Sequence, residues 1–430
     1  MKNLRERTRR ILRSSEPYLK MDMIYTTKGG FWTTLKFFVG TAMSIATMIA
    51  FGNLVSKEIY GTYNYLLSLA ASLGFLTLSG TGTGVLRAVA RGNDNVLSYS
   101  IRLQLRYNTI AMATIGAVAI YYWIHGNMLF ATSLGILAIS LPLSEAFHIF
   151  EPFFIGQKRF DLLAMIASAS SLLSAVATII TIFFTNNIFI LVAVYAITSL
   201  GPNICSYLYA KRFVSTTELN KETISELRRT AFHLTGAGIV GYLAQYIDKI
   251  VLFQVAGPAT LAVYSFATAG PERLKGLAKN LLSITLPKLS EKTTQEIRLV
   301  FYKRLFFSAI IGAVLAGAYT VFAPLLFKWF LPKYLDSIIY SQIYAISLIF
   351  IPVALYVGNV FLSQNMLRAV YMSSTGSQIF RILLFLILGW RWQIWGVITA
   401  SVITYIVGVI YNIIIWELET RRLMKKHEFQ

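Results

Sequence analysis

Residues 248–291 read DKIVLFQVAGPATLAVYSFATAGPERLKGLAKNLLSITLPKLSE, two apolar helical runs joined by an Ala256-Gly257-Pro258 turn. The second run, 261–286, is long enough to cross a bilayer, which takes about 20 residues. It nevertheless contains Glu272, Arg273, Lys275 and Lys279. Each charge costs about 2.5–3.5 kcal/mol at the bilayer centre on insertion scales, so these side chains must face protein or water. Ser265, Thr268, Glu272, Lys275, Lys279 and Ser283 recur at spacings of three or four, which sets them on one stripe of a helix. That stripe reads as the wall of a polar cavity.

The surrounding chain supports a membrane reading. Of its 430 residues 56% are hydrophobic and 13% charged, with a mean hydropathy of +0.61, a balance foreign to soluble domains of this length. The single cysteine, Cys205, excludes an internal disulfide framework, and no Cys/His cluster or HExxH pattern offers a metal site. Hydropathy predicts an all-α polytopic membrane protein of about twelve transmembrane helices in two pseudo-symmetric six-helix lobes around a central cavity. The expected organisation is a basic cytoplasmic segment 1–28, an N-lobe 29–211, a cytoplasmic linker 212–230, a C-lobe 231–417 and a basic cytoplasmic tail 418–430. The segment after residue 28 is too long for a signal-peptide core, so the first span reads as an uncleaved anchor.

With both termini cytoplasmic, about 29 Lys and Arg fall inside, about 4 outside and about 6 within spans, as the positive-inside rule requires. All seven tryptophans fall at predicted span ends, where amphipathic rings anchor. The net charge of +20 is thus an orientation and anionic-lipid signal, and nucleic acid is not an expected partner. The halves repeat. A shift of 201 lays Tyr63 on Tyr264 and Arg87 on Lys288, and a shift of 207 lays Phe154-Ile-Gly-Gln157 on Phe361-Leu-Ser-Gln364. Parallel repeats of this kind build transporters with a site between rocking lobes.

Several motifs, loose alone and specific in their order, carry a family resemblance. They are FGNLVSKEIYGTYNYLLSLAASLGF (51–75), GTGTGVLRAVARG (80–92), FFIGQKRFDLLA (153–164), DKIVLFQVAGPATLAVYSFATA (248–269) and LPKLSE (286–291). Together they resemble the Wzx-type oligosaccharide flippases of the multidrug/oligosaccharidyl-lipid/polysaccharide (MOP) exporter superfamily, which also holds the MurJ lipid II flippases and MATE exporters. The resemblance implies a two-lobed fold that opens alternately to each side and an undecaprenyl-pyrophosphate-linked glycan as cargo. It also implies a place in the cell membrane and no catalytic residue or cofactor. MurJ-like members carry two further C-terminal spans that do not follow here, which sets the lipid II reading behind.

A pyrophosphate in a low-dielectric cleft calls for Lys and Arg. The candidates are Lys36, Arg273, Lys275, Lys279 and Arg381, with snorkelling to headgroups as the alternative for Lys36 and Lys279. Glu145, His148, Glu151, Asp248 and Glu272 are candidates either for coupling to a proton or sodium gradient or for charge pairing. The GTGTG run lacks the Lys-Ser/Thr of a nucleotide loop and reads as close helix packing or a bend. A glycan polymerase or glycosyltransferase would present catalytic groups on a sizeable outer loop, whereas the longest outer connection is 328–337. A MATE-like exporter of organic cations is the rival transporter, and a scaffold that recruits other polysaccharide assembly proteins leaves the buried charge unexplained. Cross-linking across the two mouths is expected to trap both inward- and outward-open forms; a single rigid form in all conditions would refute the rocking mechanism.

Overall fold

The computed structural model describes residues 23–214, 219–283 and 289–428. Most of the expected N-terminal segment 1–28, part of the linker 212–230 and the last two residues of the tail therefore lie outside the described residues. Thirteen α-helices succeed one another with no strand among the described residues. They are α1 (Met23–Leu54), α2 (Lys57–Ser72), α3 (Thr81–Ala90), α4 (Val96–Ile124), α5 (Met128–Phe147), α6 (Phe150–Gly156) and α7 (Phe160–Phe184). There follow α8 (Ile188–Ala210), α9 (Lys221–Ser283), α10 (Thr294–Phe330), α11 (Ser337–Ala345), α12 (Ser347–Ser363) and α13 (Leu367–Glu428).

Among the described residues eight helices are long and apolar enough to cross a membrane, and a ninth span arises if Lys57–Leu76 and Thr81–Ala90, bent by 61°, count as one. The chain is a multi-pass membrane protein. Helices α9 and α13, of 63 and 62 residues, would each be about 95 Å long if straight, far more than one crossing needs. Both break. In α9 the break is Gly257, at φ 79°, which only glycine adopts without strain, followed by Pro258, whose missing N–H cannot continue the ladder. In α13 it is Trp392-Gln393, with Gln393 at φ 49°. The backbone stays helical through Pro271.

Helix ends follow from local chemistry. Thr293 and Glu296 form a reciprocal capping box at the start of α10, and Asn127 and Asn187 accept from Phe130 and Phe189 amides to open α5 and α8. The repeat is visible in the backbone itself. Lys158 and Asn365, related by the shift of 207, both have positive φ. Around them Arg159 N donates to Phe154 O and Lys158 N to Ile155 O, while Met366 N donates to Phe361 O and Asn365 N to Leu362 O. These are the paired bonds of a left-handed helix C-cap, made twice at equivalent positions.

The chain forms two compact units: the described residues of Met1–Ala50 with Leu73–Ala237, and Phe51–Ser72 with Gly238–Gln430. The core of the first gathers Phe150, Phe153, Phe154, Tyr207 and Leu227. Here the GTGTG run packs closely: a Cβ on Gly80 would meet the Ala231 carbonyl at 2.4 Å, and Gly80 N donates to the Thr235 hydroxyl. In the second unit Trp416 is fully buried and stacks on Phe301 at 4.5 Å, so this tryptophan is a core residue, unlike exposed Trp123, Trp329 and Trp390.

Phe51–Ser72 joins the second unit through contacts that leave no room for side chains. A Cβ on Gly61 would sit 1.9 Å from the Pro258 carbonyl. One turn on, Asn64 Nδ2 donates to Ser265 Oγ at 3.1 Å, pairing two residues that the 201-residue shift superimposes. At the start of α2 Lys57 pairs with Asp336 at 2.7 Å, while the Lys333 side chain donates to the Asn53 carbonyl and the Asn53 side chain to the Phe330 carbonyl. Gly61→Ala should therefore destabilise the purified protein by about 1–3 kcal/mol through overpacking. Gly116→Ala, whose Cβ meets nothing within 4 Å, should be neutral or stabilising as Gly→Ala in a helix ordinarily is. Thermal unfolding of both variants checks the contrast.

Candidate functional site

The second unit encloses a cavity of about 290 Å³ between the two halves of α13, α12 and the second half of α9. The Gly257 break turns the second half of α9 so that Lys275 reaches this cavity, and the Gln393 break folds α13 so that Arg381 and Tyr405 both line it. Its wall is polar: Ser374, Ser377, Ser401, Thr404, Gln378 and Asn412 join the two cations and Tyr344.

The cations differ in how they are satisfied. Lys275 Nζ donates to the Tyr405 hydroxyl at 2.6 Å and lies 3.3 Å from the Glu272 carboxylate, one helical turn away. Glu272 also accepts from the Tyr344 hydroxyl at 2.6 Å. This is a closed set, in which every charge has a partner. Arg381 lies 5.2 Å over the Phe385 ring and makes no ion pair or hydrogen bond among the described residues. Asp248 is the carboxylate whose field it feels, but Asp248 is itself buried and accepts from the Tyr264 hydroxyl at 2.6 Å and from the Lys249 amide. Lys249 continues this chain to Asn64 Oδ1 at 3.2 Å.

In the first unit a second charged cluster forms where α5 gives way to α6. Glu151 accepts from Lys36 Nζ at 2.6 Å through one oxygen and lies 2.9 Å from His148 Nε2 through the other. Glu145 adds its negative charge nearby. His148 sits at the break between the two helices, which aims its ring and the Glu151 carboxylate at one another. Among the described residues no group of three or more His, Cys, Asp and Glu side chains is placed to hold a metal.

A family model described as "Polysaccharide biosynthesis protein" matches residues 26–270, more than half the chain. The chain belongs to the polysaccharide biosynthesis protein family. Solved structures extend the likeness of this family member to its fold. An inward-facing multidrug resistance MATE transporter of the MOP superfamily superposes with a TM-score of 0.70 at 16% identity, over 90% of this chain and 96% of that one. The lipid II flippase MurJ in an inward closed conformation gives 0.63 at 15% identity, over 89% and 87%. A MOP superfamily transporter from Pyrococcus furiosus, described by the reverse polarity of its binding pocket, gives 0.58 at 13% identity, over 93% and 96%. The expected family thus holds as a polysaccharide biosynthesis protein family, and the likeness to solved MOP transporters holds for the fold. No curated protein sequence matches the chain.

Of the ten charged residues singled out from this family member's sequence, the structure brings Lys275 and Arg381 together at one cavity, with Glu272 pairing Lys275 and Asp248 acting on Arg381 from beyond its lining. Lys36, His148, Glu151 and Glu145 form the separate cluster of the first unit. Arg273 and Lys279 are exposed and line neither. Sequence reading missed Tyr405, Tyr344, Thr404 and Asn412; the only signal was their place on otherwise apolar spans. Removing Glu151 alone, as Glu151→Leu, should leave Lys36 unpaired and lower stability. Adding Lys36→Met should recover part of the loss, with a coupling energy of about 0.5–3 kcal/mol from a double-mutant cycle of thermal or chemical unfolding.

Proposed function

We propose that this protein is a flippase that carries an undecaprenyl-pyrophosphate-linked oligosaccharide from the cytoplasmic to the outer leaflet of the cell membrane by alternating access. Membership of a polysaccharide biosynthesis family supports the substrate class, and a MOP transporter fold supports movement over covalent chemistry. The observation that carries the reading is a hydroxyl-lined cavity inside a membrane-spanning unit whose one unpaired charge is the Arg381 guanidinium. A cavity of that sign repels an organic cation and favours an anionic, polyhydroxylated headgroup.

In this reading the N-lobe 29–211 and the C-lobe 231–417 move against one another while the prenyl tail stays in lipid. Lys36, Glu151 and His148 form the cluster suited to respond to a proton gradient, because a carboxylate shared by an amine and an imidazole changes its partners when protonated. Anionic lipids hold the basic cytoplasmic face, and other polysaccharide assembly proteins supply and receive the glycan.

Headgroup translocation in proteoliposomes tests the proposal, with a labelled undecaprenyl-pyrophosphate oligosaccharide and empty liposomes as control. Wild type is expected to expose the headgroup on the far side, and Arg381→Gln to slow it by about tenfold or more, the cost of one charge-assisted bond. Wild type that fails to move the headgroup yet exports an organic cation down an imposed ion gradient would replace the flippase with the exporter.

A further inference from the structure

A basic pair recurs in the two units and is treated differently in each. A shift of 210 lays Lys211-Arg212, just after α8, on Arg421-Arg422 near the end of α13. In the second unit acids are set among the cations. Glu419, 14% exposed, lies 3.8 Å from Arg422 and 3.7 Å from Arg368, and Glu417 accepts from the Tyr302 hydroxyl at 2.7 Å. The same shift lays Glu417 on Tyr207 and Glu419 on Tyr209, so the first unit has rings where the second has carboxylates. Lys211 stands over the Tyr207 ring at 6.0 Å and Arg212 over Tyr209 at 5.9 Å. Arg159 joins them, 4.1 Å over Phe213, whose ring centroid is 5.3 Å from that of Tyr209. None of these three cations forms an ion pair among the described residues, and neither does Asp161, the acid in the first turn of α7.

An aromatic face attracts a cation without taking up its hydrogen-bond donors as a carboxylate does, so the charge of this patch stays open to an anion from outside. Its place in the fold says which anion. Both α7 and α8 are candidate spans, joined by residues 185–187 alone, so the start of one and the end of the other come to the same membrane surface. Arg159, Lys211 and Arg212 therefore stand at headgroup depth, on the face that the distribution of Lys and Arg assigns to the cytoplasm. Leu208, 55% exposed beside them, offers apolar surface to the upper part of an acyl chain. We infer that the first unit carries a discrete site for the phosphate of an anionic phospholipid where α7 begins and α8 ends, with Arg159, Lys211 and Arg212 as its donors. A diffuse basic surface attracts acidic lipid wherever Lys and Arg are dense. This site is confined to the unit that lacks the acids, and it concerns a resident lipid of the membrane, so it stands apart from what the protein carries.

The test is native mass spectrometry of the delipidated full chain, titrated with phosphatidylglycerol and, in parallel, with phosphatidylcholine of the same acyl chains. Wild type is expected to bind phosphatidylglycerol about tenfold more tightly, and the triple variant Arg159→Gln, Lys211→Gln, Arg212→Gln to lose about tenfold or more of that affinity. Arg368→Gln, Arg421→Gln, Arg422→Gln removes as many charges from the second unit and should change it by less than about twofold. Tyr209→Glu alters one exposed side chain and gives the first unit the acid that the second has. It should weaken phosphatidylglycerol severalfold while lipid-free thermal unfolding stays that of wild type, and it decides the matter should the first triple variant fail to fold. Glycerol phosphate, a headgroup without acyl chains, is expected not to displace the lipid. Equal affinity of wild type for the two lipids, equal losses from the two triple variants, undiminished binding in folded Tyr209→Glu, or displacement by equimolar glycerol phosphate would each overturn the site. Headgroup translocation is not read in any of these arms, so their failure leaves the flippase reading untouched.

Discussion

A lysine ammonium inside a membrane span persists only where oxygen atoms surround it, and the second unit is arranged to place them around Lys275. Glu272 sits one turn away on the same helix, Tyr405 comes from the last part of α13, and Tyr344 from α11 fixes the carboxylate from its far side. Three helices are thereby tied to one charge pair. In a medium where an unpaired charge costs several kilocalories per mole, this set acts as a constraint on packing. The first unit solves the same problem with Lys36 and Glu151, on helices 115 residues apart in sequence. Such pairs are weak evidence for stability, since an apolar replacement of both partners is often as good. What they fix is which helix faces lie together.

With the charges paired, the close approach of α2 to the Pro258 turn becomes the next requirement. Gly61 meets a carbonyl where any other residue would have a Cβ, and Gly270 meets the Tyr319 hydroxyl in the same way at 2.3 Å. Small residues at helix contacts are the membrane counterpart of a packed core, because lipid tails offer no hydrophobic contrast and association depends on fit. Asn64 and Ser265 then bond across this contact.

The membrane class, the all-helical fold and the repeat could be read from residues whose meaning is local. Hydropathy needs only a window, Ala256-Gly257-Pro258 is a break in any context, and the match of Phe154-Ile-Gly-Gln157 to Phe361-Leu-Ser-Gln364 announces the same left-handed cap twice. Gly270 leaves room for the approach of Tyr319, and the backbone keeps helical torsions through Pro271. The stripe through Lys275 and Lys279 was legible as a stripe but not as a site. Periodicity places both on one face, whereas only the fold of α13 at Trp392-Gln393 determines that Lys275 reaches the cavity and Lys279 does not. The Lys36–Glu151 pairing was illegible for the same reason, since nothing in either segment indicates the other.

The polarity of the cavity lies deeper still, because it depends on where protons go. A serine or threonine in a membrane helix has few competitors for its hydrogen, and the carbonyl one turn back takes it. Ser374, Ser401 and Thr404 obey this rule, so residues that look like general-purpose hydrogen-bonding groups in the sequence become acceptors in the fold. Beside the amides of Gln378 and Asn412, Arg381 adds a planar guanidinium that offers several N–H groups in a fixed fork. A ligand entering such a site is oriented by that fork and held by the polar groups around it. Lysine at 381 would keep the charge and lose the orientation, which makes geometry as well as charge the property this position supplies.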